Sequence, residues 1–274
     1  MRKNKFPFFV LFIIHTSIIL FTLYKKKDEQ RELSILLFIN VGLAYIFEYI
    51  VFNVLRAYRY KPRVMKNKYI DNTFGALLSQ AIIIPFTAVF LTAFKFGKKG
   101  KIFFSLYFLI VECIFVKLGV FTRHWWKTYL TPILVFLYFL ISDYSYKKIK
   151  ERNRFILSVS LFFCINVMVV NGLYFLAAFG RFKIELGKWS SWREHFIIAP
   201  LYGIILSLFA TWQIQKRGFL PQINILLFAN LMDWVLRELD VVKLSLKGKY
   251  DLIIHHLAVS ILISRLKALI YKQI

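Results

Sequence analysis

Three carboxylates stand where water is scarce. Glu48, Glu112 and Asp233 each interrupt a long apolar stretch. A charged side chain at the centre of a bilayer costs about 2.5 kcal/mol or more, so such a group faces a bundle interior or a wet cavity. Acids so placed exchange protons or bind cations. Asn166 and Asn171 offer neutral polar groups at a similar depth. If these helices share an axis, their polar groups line one pocket.

A second set of residues lies in the loops on the same side. One loop reads Arg56-Ala57-Tyr58-Arg59-Tyr60-Lys61-Pro62-Arg63, a second Arg123-His124-Trp125-Trp126-Lys127, and a third Trp189-Ser190-Ser191-Trp192-Arg193-Glu194-His195. Arg56, Arg59 and Arg123 suit an anionic headgroup or a phosphate. His124 and His195 suit general acid–base work on a lipid-linked substrate, with Glu48 or Glu112 sharing the proton. A structural role competes with each of these. Intramembrane acids also join neighbouring helices, for about 0.6–2 kcal/mol per contact. Asp233 and Arg237 have the spacing of a local helical pair. Trp125, Trp126, Trp189 and Trp192 have the place of interface anchors.

The elements that must position these residues are long and apolar. Hydrophobic residues make up 59% of the 274, and Phe alone occurs 30 times. Spans are expected at 6–24, 33–55, 74–94, 102–122, 128–146, 155–180, 196–214 and 219–240, each near the ~20 residues that cross the hydrocarbon core. The fold class is therefore all-α, a polytopic transmembrane bundle of eight spans. Residues 1–250 form the transmembrane domain. The tail 251–274 is apolar but carries His255, His256, Arg265 and Lys267. It is expected to lie in the interface, with a ninth crossing as the alternative. The basic start and first apolar run are expected to be a retained span, not a cleaved leader. Pro85 lies mid-span and should kink the third helix. Lys and Arg divide almost evenly between the two faces, so the charge rule leaves orientation open.

The net charge of +24 sits in loops that flank apolar runs. That pattern points to anionic lipid headgroups and excludes nucleic acid, since the aromatics do not interleave with the bases. Cys113 and Cys164 both fall within apolar runs and read as small fillers. No metal-ligand spacing, phosphate loop or nucleophile elbow occurs, so no metal and no cofactor are expected. His255 and His256 are adjacent, so a helix points them apart and they do not share a metal easily. Glu48 and Arg59 repeat the spacing of Glu112 and Arg123, too thin a match to establish a duplication.

The stretches Glu48 to Arg63, Asp71 to Gln80 (Asp-Asn-Thr-Phe-Gly-Ala-Leu-Leu-Ser-Gln) and Arg123 to Thr131 resemble a group of uncharacterised multi-spanning membrane proteins of endospore-forming Gram-positive bacteria. The likeness covers the first half of the chain. It implies a bacterial plasma membrane and no particular activity.

The function expected from the residues is binding or movement of a small polar solute, an ion or a lipid headgroup. Glu48, Glu112, Asp233 and Asn171 would line the pocket, and Arg56, Arg59 and Arg123 would stand at its mouth. The alternatives are the membrane-embedded enzyme and an accessory subunit of a larger membrane complex.

Overall fold

The computed structural model describes residues 4–185 and 191–271. The chain is all-α, with nine helices among the described residues. They are α1 (Lys5–Lys25), α2 (Lys27–Val54), α3 (Lys68–Ala93), α4 (Lys98–Lys117), α5 (Leu130–Lys150), α6 (Arg154–Ala178), α7 (Trp192–Ile214), α8 (Leu220–Glu238) and α9 (Leu246–Tyr271). Six of them (α1, α2, α3, α6, α7 and α9) are long and apolar enough to cross a membrane. Lys98, Lys99 and Lys101 lie in the first turn of α4, and Lys147, Lys148 and Lys150 in the last of α5, so charge dilutes the apolar run of both helices.

Two compact units divide the chain, Met1–Ile156 and Leu157–Ile274. Both are built from the same pattern. A helix ends, one residue turns left-handed, and a three-residue strand follows before the next helix begins. The strands are β1 (Tyr58–Tyr60) after α2, β2 (Phe121–Arg123) after α4, β3 (Phe182–Ile184) after α6 and β4 (Val242–Leu244) after α8. The left-handed residues are Arg56, Gly119, Gly180 and Asp240. Glycine takes that conformation freely, whereas Arg56 and Asp240 hold it against steric strain. After α4, α6 and α8, the next N–H reaches back across the turn, from Val120 to the Phe115 carbonyl, Arg181 to Leu176 and Val241 to Leu236. This is the Schellman closure, which satisfies carbonyls left over at a helix end.

In the first unit β1 pairs antiparallel with β2, Tyr58 opposite Arg123 and Tyr60 opposite Phe121. In the second unit β3 pairs with β4 in the same register, Phe182 opposite Leu244 and Ile184 opposite Val242. Each unit thus contains a pair of helix–strand–helix repeats joined through their strands, with α1 added in the first. The sequence hides this because few side chains recur. One departure is informative. The last turn of α2, Tyr49–Val54, is π-helical, and its closing bond runs from Ala57 N–H to Val51 carbonyl, one residue longer than in the other repeats. With that extra residue counted, Glu48, Glu112 and Asp233 occupy the same position before their strands. Leu173 holds that position in α6.

Proline acts on α3 through a π turn. Residues Leu78–Ile83 are π-helical, and the Ile84 N–H bonds to the Ser79 carbonyl. Pro85 has no N–H to give and its ring crowds the preceding turn, so the widened turn takes up the misfit directly before it.

In the second unit α9 runs back along α8. The Ser260 hydroxyl donates to the Gln222 carbonyl at 2.9 Å, the Gln222 amide donates to the Ser264 hydroxyl at 2.8 Å, and Lys267 Nζ donates to the Ile214 carbonyl at 2.5 Å. The helix begins at Leu246, ahead of the tail marked out from the sequence, and it traverses the depth of α8. Of the four polar residues that marked the tail as interfacial, His255 and His256 are turned into the unit.

Candidate functional site

Under the β1–β2 ladder the first unit holds a half-open cavity of about 360 Å³, within the range of small-molecule sites. Its wall is mostly Phe, Leu, Ile and Val from α1 to α5, with Tyr58, Tyr60 and Phe121 as the inner face of the ladder. Side chains alternate along a strand. Tyr58 and Tyr60 therefore face the cavity, and Arg59 belongs to the opposite face. The ring of Tyr58 meets Phe121 at 5.1 Å and Trp126 edge-on at 5.2 Å, so the roof is a packed aromatic layer. Burial, with the Glu48 charge behind it, raises the phenols of Tyr58 and Tyr60 well above their ordinary range. Both remain donors at any physiological pH.

The polar end of the cavity is built by α4, β2 and α5. The Glu112 side chain is 8% exposed. One carboxylate oxygen accepts from the Thr131 hydroxyl, which itself accepts from Trp126 Nε1 at 2.9 Å. The other oxygen is buried and takes no hydrogen bond. It faces Arg123 Nη1 at 3.7 Å, an ion pair too long for a hydrogen bond. Glu112, Thr131 and Trp126 all line the cavity.

Glu48 stands behind the wall. Its Oε1 accepts from the Tyr58 hydroxyl at 2.8 Å and from Gln80 Nε2 at 2.7 Å, and both donors line the cavity. Glu48 is 5% exposed and orients two wall residues without reaching the hollow. Gln80 was not among the candidate site residues of the sequence. The signal was there, since Asp71, Asn72, Gly75, Ser79 and Gln80 follow a helical spacing. In the structure they tie α3 to the ladder. The Asp71 carboxylate accepts backbone N–H groups of Arg63, Val64 and Met65 at 2.9, 2.6 and 2.9 Å. Asn72 Oδ1 accepts Tyr60 N–H at 2.7 Å. A Cβ on Gly75 would lie 2.5 Å from the Cβ of Tyr60, so only glycine lets α3 approach β1 this closely.

Several of the loop residues singled out in the sequence hydrogen-bond to backbone groups. His124 Nδ1 bonds to the Arg56 carbonyl at 2.9 Å, and Trp125 Nε1 donates to the Leu55 carbonyl at 2.7 Å. Both satisfy carbonyls at the irregular end of α2. Arg56 is exposed and contributes that carbonyl. Trp126, expected as an interface anchor, is 8% exposed and belongs to the cavity wall. His195 is 1% exposed, and its Nδ1 accepts the Ile184 N–H at 3.1 Å. An acceptor nitrogen carries no proton, so this bond fixes a neutral ring that joins β3 to α7. Trp189 lies outside the described residues.

Asp233 belongs to the second unit. Its carboxylate accepts from the Tyr202 hydroxyl and meets His256 Nε2 at 2.8 Å. Arg237 Nε donates to the Asp233 backbone carbonyl at 3.2 Å, not to the carboxylate. His255 Nε2 is buried without a hydrogen bond, and its ring packs where a Cβ on Gly172 would stand, 2.1 Å from Cε1. Asn171 is half-buried on α6, and Asn166 reaches Ser207 at 3.5 Å. The three acids thus fall in two units, two in the first and one in the second, and only Glu112 touches the cavity.

Two ionic groups are buried. Lys101 is 2% exposed and pairs with Asp143 at 2.6 Å, while Asp143 also accepts from Thr92. Glu185 is 4% exposed beside β3 and is held by Lys183 and Lys243. Cys113 is exposed and Cys164 buried, both free. Among the described residues no group of His, Cys, Asp and Glu could hold a metal. No family model, curated protein or solved structure matches the chain.

Proposed function

We propose that this chain is a multi-spanning protein of a bacterial plasma membrane that binds an amphiphile in the cavity of its first unit. α1 to α8 provide eight crossings, and α9, which lies along α8, provides a ninth. The observation that carries the proposal is the contrast within the cavity. Its long wall is apolar and aromatic, which suits a hydrocarbon chain and gives a hydrated ion nothing to coordinate. Its polar groups gather under the ladder, where Glu112 keeps a buried oxygen without a donor. A polar atom left so costs about 1–3 kcal/mol, which a ligand donor recovers on binding. Glu48 and Gln80 then position the roof, and Arg123 faces the Glu112 oxygen from beyond the lining at 3.7 Å.

The enzyme alternative has less behind it, because the hydrogen bonds of His124 and His195 go to backbone groups. The geometry also favours an amphiphile over a small polar solute.

Filling the hollow tests the proposal. Ala44 lines the cavity from α2 and is 3% exposed. Ala44→Leu and Ala44→Phe add increasing bulk there. Protein purified in mild detergent should carry lipid in the wild type, less with leucine and almost none with phenylalanine, read by mass spectrometry of the intact protein. Equal lipid on all three folded variants would overturn it.

A further inference from the structure

We infer that the head of the amphiphile carries an ammonium and a phosphate joined by a short linker, the ammonium on Glu112 and the phosphate on Arg123. This rests on the amphiphile reading of the same cavity.

The two protein charges define the head. The Glu112 oxygen that faces Arg123 is buried and lacks a hydrogen bond, whereas the other oxygen accepts from Thr131. A buried carboxylate oxygen is stabilised by a donor that also carries positive charge. A primary ammonium is such a donor, with three N–H groups. Arg123 is the last residue of β2, and its side chain is 34% exposed. Its planar guanidinium matches phosphate geometry and remains wet enough to meet a lipid at the bilayer surface. The two groups stand 3.7 Å apart without a hydrogen bond between them. That separation leaves room for a ligand donor on the Glu112 oxygen and for a phosphate on the Arg123 guanidinium, and it requires the two ligand charges to be neighbours.

The alternatives fit less well. A purely anionic lipid would satisfy Arg123 and set its charge against Glu112. A quaternary ammonium has the right charge but no N–H for the Glu112 oxygen that lacks a hydrogen bond. A fatty alcohol would supply a donor to Glu112 and nothing for Arg123.

The test uses full-length protein in non-ionic detergent and four probes of equal chain length. They are lysophosphatidylethanolamine, lysophosphatidylcholine, lysophosphatidylglycerol and the fatty alcohol. In the wild type the ethanolamine lipid should bind about tenfold more tightly than the other two phospholipids, the margin of one charge-assisted hydrogen bond. Glu112→Gln keeps an oxygen for Thr131 and should erase that margin. Arg123→Gln should weaken all three phospholipids alike and leave the alcohol unchanged. Equal binding of the three phospholipids to the wild type, or a margin that survives Glu112→Gln, would overturn the head assignment while the amphiphile site stands. Failure of every probe, the alcohol included, would remove the site itself. The wild-type comparison needs no variant, so it decides the matter even if Glu112→Gln does not fold.

Discussion

Asp71→Ala should lower the apparent unfolding midpoint by roughly 6–12 °C, the shift that about 3 kcal/mol produces in a chain of this size. The Asp71 carboxylate gathers three backbone N–H groups of the loop between β1 and α3. Alanine leaves all three without that acceptor. Arg63 also holds a left-handed backbone, φ 56°, a strained conformation that its bond to Asp71 helps to maintain. Part of the loop is exposed, so water replaces some of what is lost and the effect stays below the sum of three charge-assisted bonds. Asp71→Asn keeps one acceptor oxygen and should recover about half the loss. Amphiphile binding should weaken in parallel, because the adjacent Asn72 fixes Tyr60 and the ladder roofs the cavity. Thermal scans of the three proteins check the order. An alanine variant as stable as the wild type would show that the loop does not depend on this side chain.

Asp233→Ala should be at least as damaging, at about 3–5 kcal/mol, because it removes one partner from a buried pair and strands the others. Tyr202, Asp233 and His256 are 3%, 4% and 4% exposed and come from α7, α8 and α9. Without the carboxylate, a phenol and an imidazole are buried with no partner. Asp233→Asn should restore most of the stability, since an amide oxygen can accept from Tyr202 while its N–H₂ donates to His256. Trypsin digestion of folded protein gives the readout, with cleavage at Arg265 or Lys267 accelerated in the alanine variant as α9 loosens from α8. If Asp233→Asn is as unstable as Asp233→Ala, the pair needs a charge and not only a hydrogen-bond network.

The helices were legible in the sequence because each apolar run is long and ends at charged residues. Hydropathy placed all eight expected runs on helices, but it set the starts of α2 and α3 six residues late and left out α9, one of the six helices long and apolar enough to cross. The repeat was not legible. It is carried by backbone conformation at Arg56, Gly119, Gly180 and Asp240, where two residue types besides glycine do the same task. The one visible hint, equal spacing from Glu48 to Arg59 and from Glu112 to Arg123, misleads about faces. The extra residue in the π turn of α2 shifts Arg59 by one place along its strand, and one place on a strand is the other face. Glu112 could be identified as a costly residue, but its partners could not, since Thr131 and Trp126 are unremarkable in composition. His256 was discounted because adjacent histidines cannot easily share a metal. The same geometry lets one of them face Asp233 while the other packs against Gly172.

A density map of the protein in nanodiscs made from bacterial lipid is the most direct measurement of the amphiphile site. Continuous elongated density should run from beside Glu112 and Arg123, under Tyr58 and Phe121, down between Phe108 and Leu134. A cavity holding only separate water-sized peaks, with the Glu112 oxygen bonded to one of them, would contradict it.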